Sequence, residues 1–293
     1  MSTALLIMLP PFVACLTLMG IHVYFGIHVL KREIIFIDIA MAQIAALGGT
    51  ISVLLPVEVT TEWGIKSYEA HGTGALAYAM SLVLVLIAAT VFTLLRSEKL
   101  FVSIEALIGI AFAMATTGAV ILIDKGAGGD VHLKEMLVGS ILWVKWSTIL
   151  KSLAVYLVIG GLHYRFRDKV LLVTEDYDKA KASGVRVKLW DFFFYLTLGI
   201  VVTHAVKIGG ILVVFAFLII PASISVLFSD SWVTRIRIGW LVGTVVTTLG
   251  LYFSWTVDVP SGPSVILFLG LALLTAVLIY WLKPAWKRET AVK

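Results

Sequence analysis

The chain has 293 residues, 60% of them hydrophobic and 14% charged, with a formal net charge of +5 and a mean hydropathy of +1.02. A soluble globular domain carries roughly 25% charged residues, so the composition excludes one and indicates an all-α, polytopic membrane protein. At about 20 apolar residues per span the length suits eight or nine transmembrane helices and leaves no room for a separate soluble domain.

The N-terminal stretch MSTALLIMLPPF lacks a basic n-region and its apolar run is longer than that of a signal peptide, so a retained first span is expected. The single cysteine, Cys15, lies in that run, which excludes an intrachain disulfide. Apolar stretches cover about residues 3–30, 34–55, 75–95, 100–123, 147–164, 190–206, 211–228, 238–256 and 263–282. Of the 23 Lys and Arg, 17 fall in 31–32, 96–99, 165–188, 235–237 and 283–293, and the positive-inside bias puts those loops in the cytoplasm. The N-terminus is then outside, the C-terminus inside, and nine crossings satisfy the alternation. A short break at 206–210, holding Lys207, separates two spans; a buried kink there reduces the count to eight.

Residues 134–146, KEMLVGSILWVKW, are too short and interrupted to cross alone, and a short re-entrant or interfacial helix is expected. The outer loops hold Glu58, Glu62, Glu69, Asp124, Asp130, Glu135 and Asp258 against three lysines. Such a mouth draws in cations, or simply reflects the exclusion of Lys and Arg from outer loops.

The one long polar interval is 165–191, RFRDKVLLVTEDYDKAKASGVRVKLWD. Thr174 or Asp176 can cap a helix that has Glu175, Asp176 and Asp178 at its start, Lys179 and Lys181 later, and Gly184 past its end. That order satisfies the orphan backbone groups and the dipole, so a helix of about two turns is expected. Ala180 and Gly184, four apart, share a face that a soluble partner can approach closely; a solvated linker is the alternative.

No GxxxxGK[ST] loop, zinc-finger spacing, HExxH or GxSxG is present, so the residues show no chemistry of an enzyme by these motifs. What remains are polar groups in or near the spans: His22, His28, Asp38, Gln43, Glu105, Lys145, Lys151, His204, Lys207 and Asp230. Ionisable groups at membrane depth are functional candidates by default. Asp38 lies about 6 Å of helix rise inside Ile34 and is expected to pair with Lys31 or Arg32; Glu105 and Asp230 also lie near cytoplasmic ends. His22 and His28 point about 120° apart around a helix and cannot easily share a ligand. His28 is expected at the interface with water. Gln43 sits deeper, beside the small-residue run AQIAALGG, as a path residue or an amide bonded across helices. His204 is the imidazole placed nearest a pore, as a metal ligand or a satisfied core histidine.

The runs GIHVLKREIIFIDIAMAQIAALGG, MLVGSILWVK, EDYDKAKASGV, VKIGGILVVFAFLIIPASIS and TLGLYFSWTVDVPSGPSVIL, in that order, resemble the membrane permease subunit of ABC importers for zinc, manganese and iron. The resemblance extends from about Gly20 to Leu282. It implies a single permease domain over 1–293 whose cytoplasmic coupling loop, 165–191, seats a coupling helix in the ATPase through Asp178, Ala180, Lys181 and Gly184. It also implies a homodimer in the lipid of a bacterial or archaeal cytoplasmic membrane, with a cytoplasmic ATP-binding subunit and an extracytoplasmic metal-binding protein. No nucleic acid takes part. The chain then binds no cofactor and hydrolyses no ATP; a divalent metal is its cargo.

Many relatives in that family carry Asp-x-x-x-His on the second span. Here Gln43 stands at the histidine position, Ile39 at the aspartate position, and Asp38 is displaced by one residue. Asp38 and Gln43 point about 140° apart, so the paired grip on a cation is lost. The path is therefore expected to use His204, Gln43 and Asp38 singly, or to carry a complexed metal. The competing readings are a membrane enzyme or assembly factor that uses intramembrane histidines, and an ATP-independent metal transporter.

Overall fold

A computed structural model describes residues 3–53, 58–60, 66–68, 75–96, 102–124, 139 and 141–282. A bilayer interior has no water to satisfy peptide groups, so each apolar run closes its own hydrogen bonds as a helix. In order these are α1 (Thr3–Lys31), α2 (Ile37–Val53), α3 (Ala75–Leu95) and α4 (Ile104–Asp124). After a 3-10 turn at Ile141–Trp143 come α5 (Trp146–Arg165), α6 (Arg167–Glu175), α7 (Tyr177–Ala182), α8 (Val187–Phe228), α9 (Trp232–Val257) and α10 (Ser261–Leu282). Outside the helices, the described residues add one antiparallel ribbon, β1 (Glu58–Thr60) with β2 (Lys66–Tyr68), in which Val59 faces Ser67.

Among the described residues seven helices are long and apolar enough to cross a membrane: α1, α3, α4, α5, α8, α9 and α10. At 17 residues α2 is apolar but shorter. α8 has 42 residues, about 63 Å at 1.5 Å per residue, roughly twice the 30 Å of a hydrocarbon core. Its helical course is broken at Gly210, with φ 74° and ψ 170°. The break expected at 206–210 is thus a single residue, and Lys207 is helical and exposed rather than part of a loop. Of the stretch expected to be re-entrant, 134–138 and 140 lie outside the described residues; the rest contributes the 3-10 turn and the start of α5.

The chain divides into two compact units. The first takes residues 1–33, 137–162 and 205–293. Here α1 packs antiparallel to α9: His28 meets Trp232, Val23 meets Gly239, Met19 meets Gly243, and the Trp240 indole donates to the Gly20 carbonyl at 3.0 Å. The second half of α8 runs parallel to α1, with Gly209 beside Leu18 and Gly26 against Leu218 and Ala222. Between α9 and α10, Gly250 abuts Val265 and Phe253 meets Phe268. Arg235, buried in the first turn of α9, bonds the Ser229 carbonyl and the exposed Asp230 carboxylate, which secures the turn from α8.

The second unit takes residues 34–136 and 163–204. α2 packs against both α3 and α4: Gly48 touches the backbone of Met80 and Ser81, the Ser81 hydroxyl donates to the Ala45 carbonyl at 2.6 Å, and Leu47 faces Gly118. The first half of α8 lies antiparallel to α3, through Asp191 with Arg96, Tyr195 with Phe92, Gly199 with Val85 and His204 with Tyr78. Tightly packed small residues let the backbones approach where lipid supplies no hydrophobic drive between helices.

Gly26 shows how narrow that margin is, since a Cβ there overlaps the carbonyl oxygen of Leu218 and comes within 2.9 Å of the Ala222 Cβ. Gly26→Ala is expected to cost about 2–3 kcal/mol by overpacking. Gly160→Ala in α5, whose Cβ meets nothing within 4 Å, should be neutral or stabilise by up to about 1 kcal/mol. Apparent unfolding midpoints of the two variants in detergent check the contrast.

Candidate functional site

The polar loop between α5 and α8 folds into two short helices rather than one. Asp176, between them, caps α7 by accepting a hydrogen bond from the Lys179 amide at 2.8 Å. Thr174 is not the cap; its hydroxyl donates to the Val170 carbonyl inside α6. At the other end the Val185 amide donates to the Ala180 carbonyl and the Gly184 amide to that of Lys181, both at 3.1 Å. This is a Schellman closure, and it needs the left-handed φ of 75° that Gly184 supplies.

The closure turns Ala180 inward. It is fully buried with Val173 and Val187, and Leu172, Tyr177, Val185 and Trp190 pack around this cluster. Ala180 and Gly184 therefore do not share an exposed face: Ala180 is the contact that seats α7, and the outward surface consists of Asp178, Lys179, Lys181, Ala182, Ser183 and Gly184. The sequence could not show this, because an alanine flanked by charges suits either side of so short a helix. The loop's base is aromatic, with Trp190 and Phe193 packed on Phe166 and the His163 ring stacked on Phe193. The buried His163 also hydrogen-bonds Thr197 at 2.9 Å.

Arg96, directly after α3, pairs with the buried Asp191 of α8 at 2.9 Å, and its guanidinium lies 4.8 Å from the centre of the Tyr177 ring in α7. Sequence reasoning counted Arg96 only as a cytoplasmic charge. The missed signal was a base ending one span and an acid opening another.

Within the spans the polar groups are separated. His204 shares a 2.5 Å hydrogen bond, through Nε2, with the hydroxyl of Tyr78, and the two rings meet edge-on at 5.0 Å. Tyr78 lies in the first turn of α3, and nothing in the spacing of 126 residues announced the pair. Asp38, in the first turn of α2, is buried; its oxygens lie by the amides of Asp38 and Ile39 but make no hydrogen bond of normal geometry. The expected partnership with Lys31 or Arg32 is absent, and the helix N-terminus supplies the favourable field instead. Gln43 is buried one to two turns further along α2. His28 is not at a wet interface: it is fully buried between Tyr24 and Trp232, each 4.6 Å away. His22, also buried, donates from Nδ1 to the Leu18 carbonyl at 2.6 Å, and its Nε2 has no hydrogen-bond partner. Among the described residues no three His, Cys, Asp or Glu side chains gather closely enough to hold an ion.

Among the described residues the polar groups in the spans are thus single donors that do not gather into a closed coordination shell. The family model described as the ABC 3 transport family matches residues 4–280. The chain is 29% identical over 171 residues to the manganese transport system membrane protein MntC of Halalkalibacterium halodurans, covering 58% of this chain and 59% of that one. It is 27% identical over 173 residues to the high-affinity zinc uptake system membrane protein ZnuB of Buchnera aphidicola, covering 58% and 66%. These alignments thus span less than two thirds of either relative. The structure of PsaBC from Streptococcus pneumoniae in complex with Fab superposes with a TM-score of 0.76 over 98% of this chain and 95% of that one, at 20% identity, which shows the fold.

The buried position of Ala180 has a local consequence. Ala180→Leu should overpack the cluster beneath α7 at a cost of about 1–3 kcal/mol, whereas Asp178→Asn, on the outward surface, should stay within about 0.5 kcal/mol. Hydrogen exchange of the amides of residues 177–185 is expected to accelerate in the first variant and not in the second.

Proposed function

The chain belongs to the ABC 3 transport family, and from that premise we propose that it is the membrane permease of an ATP-driven importer of divalent metal ions. The observation that carries this reading is the family match along residues 4–280. Relatives named for manganese transport and zinc uptake point the cargo the same way. The chain carries no nucleotide-binding loop of its own, so ATP hydrolysis falls to a separate cytoplasmic subunit. A second permease copy and an external metal-binding protein complete the assembly, in the cytoplasmic membrane. We read both compact units as parts of one permease domain.

Nine crossings follow if the seven long helices are joined by α2 and α8 is counted twice. With α1 and α3 both running inward from the outside, the first half of α8, antiparallel to α3, runs outward. Counting α8 twice, divided at Gly210, keeps the basic loops on the cytoplasmic side, and a backbone break at membrane depth is tolerated where protein surrounds it.

In that topology Tyr78 and His204 lie toward the outer end of the path, and Asp38 toward the inner end. Gln43 lies between, about 7.5 Å of helix rise from Asp38. An ion passing isolated donors is bound weakly enough to leave, unlike one in a closed tetrahedral site. One imidazole with several oxygens and no thiolate suits manganese, iron or zinc rather than a soft ion. On the cytoplasmic side the outward surface of α7, with Asp178, Lys181 and Gly184, is the docking face for the ATPase, and Ala180 holds it in place from beneath.

Two measurements test this in proteoliposomes holding the permease with its ATPase. Lys181→Glu and Asp178→Arg should each lower ATP-driven manganese(II) uptake at least ten-fold with an unchanged unfolding midpoint; undiminished uptake in both removes α7 as the docking face. His204→Ala should lower the maximal uptake rate several-fold, and Tyr78→Phe less so. Normal transport by His204→Ala, together with lost metal stimulation in Asp38→Asn, would shift the path to α2.

A further inference from the structure

We propose that Arg96 is the coupling residue through which α7 moves α3, so that docking-face motion reaches the outer end of the α3/α8 pair; this rests on the reading of α7 as the ATPase contact. α7 is already fixed to the start of α8 by the Val173, Ala180 and Val187 cluster with Trp190. Arg96 adds α3 to that body. Its Nη1 holds the Asp191 carboxylate at 2.9 Å while its guanidinium carbon lies over the ring of Tyr177, the first residue of α7, 4.8 Å from the ring centre. The pair is largely withdrawn from water, with side-chain exposures of 20% and 1%, so it is screened far less than a surface ion pair. Only arginine makes both contacts at once, because its planar fork pairs with a carboxylate along one edge and stacks by its face on an aromatic ring.

The geometry beyond the clasp carries the displacement onward. One turn past Asp191, the fully buried Tyr195 meets Phe92 edge-on, and further along the same antiparallel pair Gly199 receives Val85. At the far end Tyr78 and His204 share their hydrogen bond. Arg96 and Tyr78 are 18 residues apart, about 27 Å along α3. The same two helices thus hold the docking loop at one end and the dyad at the other.

The decisive quantity is manganese(II) transported per ATP hydrolysed by the purified complex in proteoliposomes. Arg96→Ala should still co-purify with the ATPase yet lose at least ten-fold in that ratio. Arg96→Lys, which keeps the charge but not the stack, should fall in between. Tyr177→Leu should reduce the ratio too, and the double variant Arg96→Ala with Tyr177→Leu should be no worse than Arg96→Ala, as expected for residues acting through one contact. A wild-type ratio in Arg96→Ala, or losses that multiply in the double variant, overturns the proposal. Should Arg96→Ala fail to fold, a wild-type ratio in Arg96→Lys overturns it equally. The docking reading fails on a different result, undiminished uptake by both Lys181→Glu and Asp178→Arg.

Discussion

The structure depends on one constraint: a peptide group in hydrocarbon has no water to bond, and leaving it unsatisfied costs several kcal/mol. Helices follow at once, and so does the behaviour of the hydroxyl side chains they carry. Thr17, Thr50, Thr93, Thr116, Thr203 and Thr275 each donate to the carbonyl four residues earlier. A threonine can therefore sit anywhere in a span without marking function. Histidines and carboxylates cannot all hide in this way. The His22 imidazole satisfies only one nitrogen locally, and Asp38 relies on the field of a helix end. Such exceptions are where the chemistry of a translocation path has to be sought.

Once each helix is self-satisfied, the order of the helices is set by how closely their backbones approach. In the first unit Gly26, Gly239 and Gly243 bring α1 onto α8 and α9, and in the second Gly48 and Ser81 bring α2 onto α3. These contacts leave no room for a methyl group, so the packing is discrete rather than sliding. Discrete packing lets a bundle hold two alternative arrangements and switch between them as rigid parts.

The polar loop between α5 and α8 obeys a different balance because water is available to it. Its outward surface is charged, while beneath it an apolar and aromatic base secures α7 to the start of α8. A docking element that must transmit force needs such a seat. A loop held only by solvent-exposed hydrogen bonds would absorb the motion of a partner instead of passing it on.

The all-helical membrane class, the approximate extent of the long apolar helices and the place of the polar loop along the chain were legible in the residues, because they depend on transfer free energy summed over about 20 positions. The short helix near Asp176 and its glycine closure were legible for a local reason: caps act within a single turn. Pairwise partners were not. The contact of Tyr78 with His204, the clasp of Arg96 on Asp191 and Tyr177, the enclosure of His28 and the inward turn of Ala180 each join or orient residues by packing between elements. Periodicity says that a side chain lies on a face but not what that face meets. The sequence by itself determined which segments form long apolar helices and where the polar loop falls between them, since both follow from composition. Only the tertiary structure decided which polar groups are satisfied and which remain exceptional, since that depends on the distance between helices.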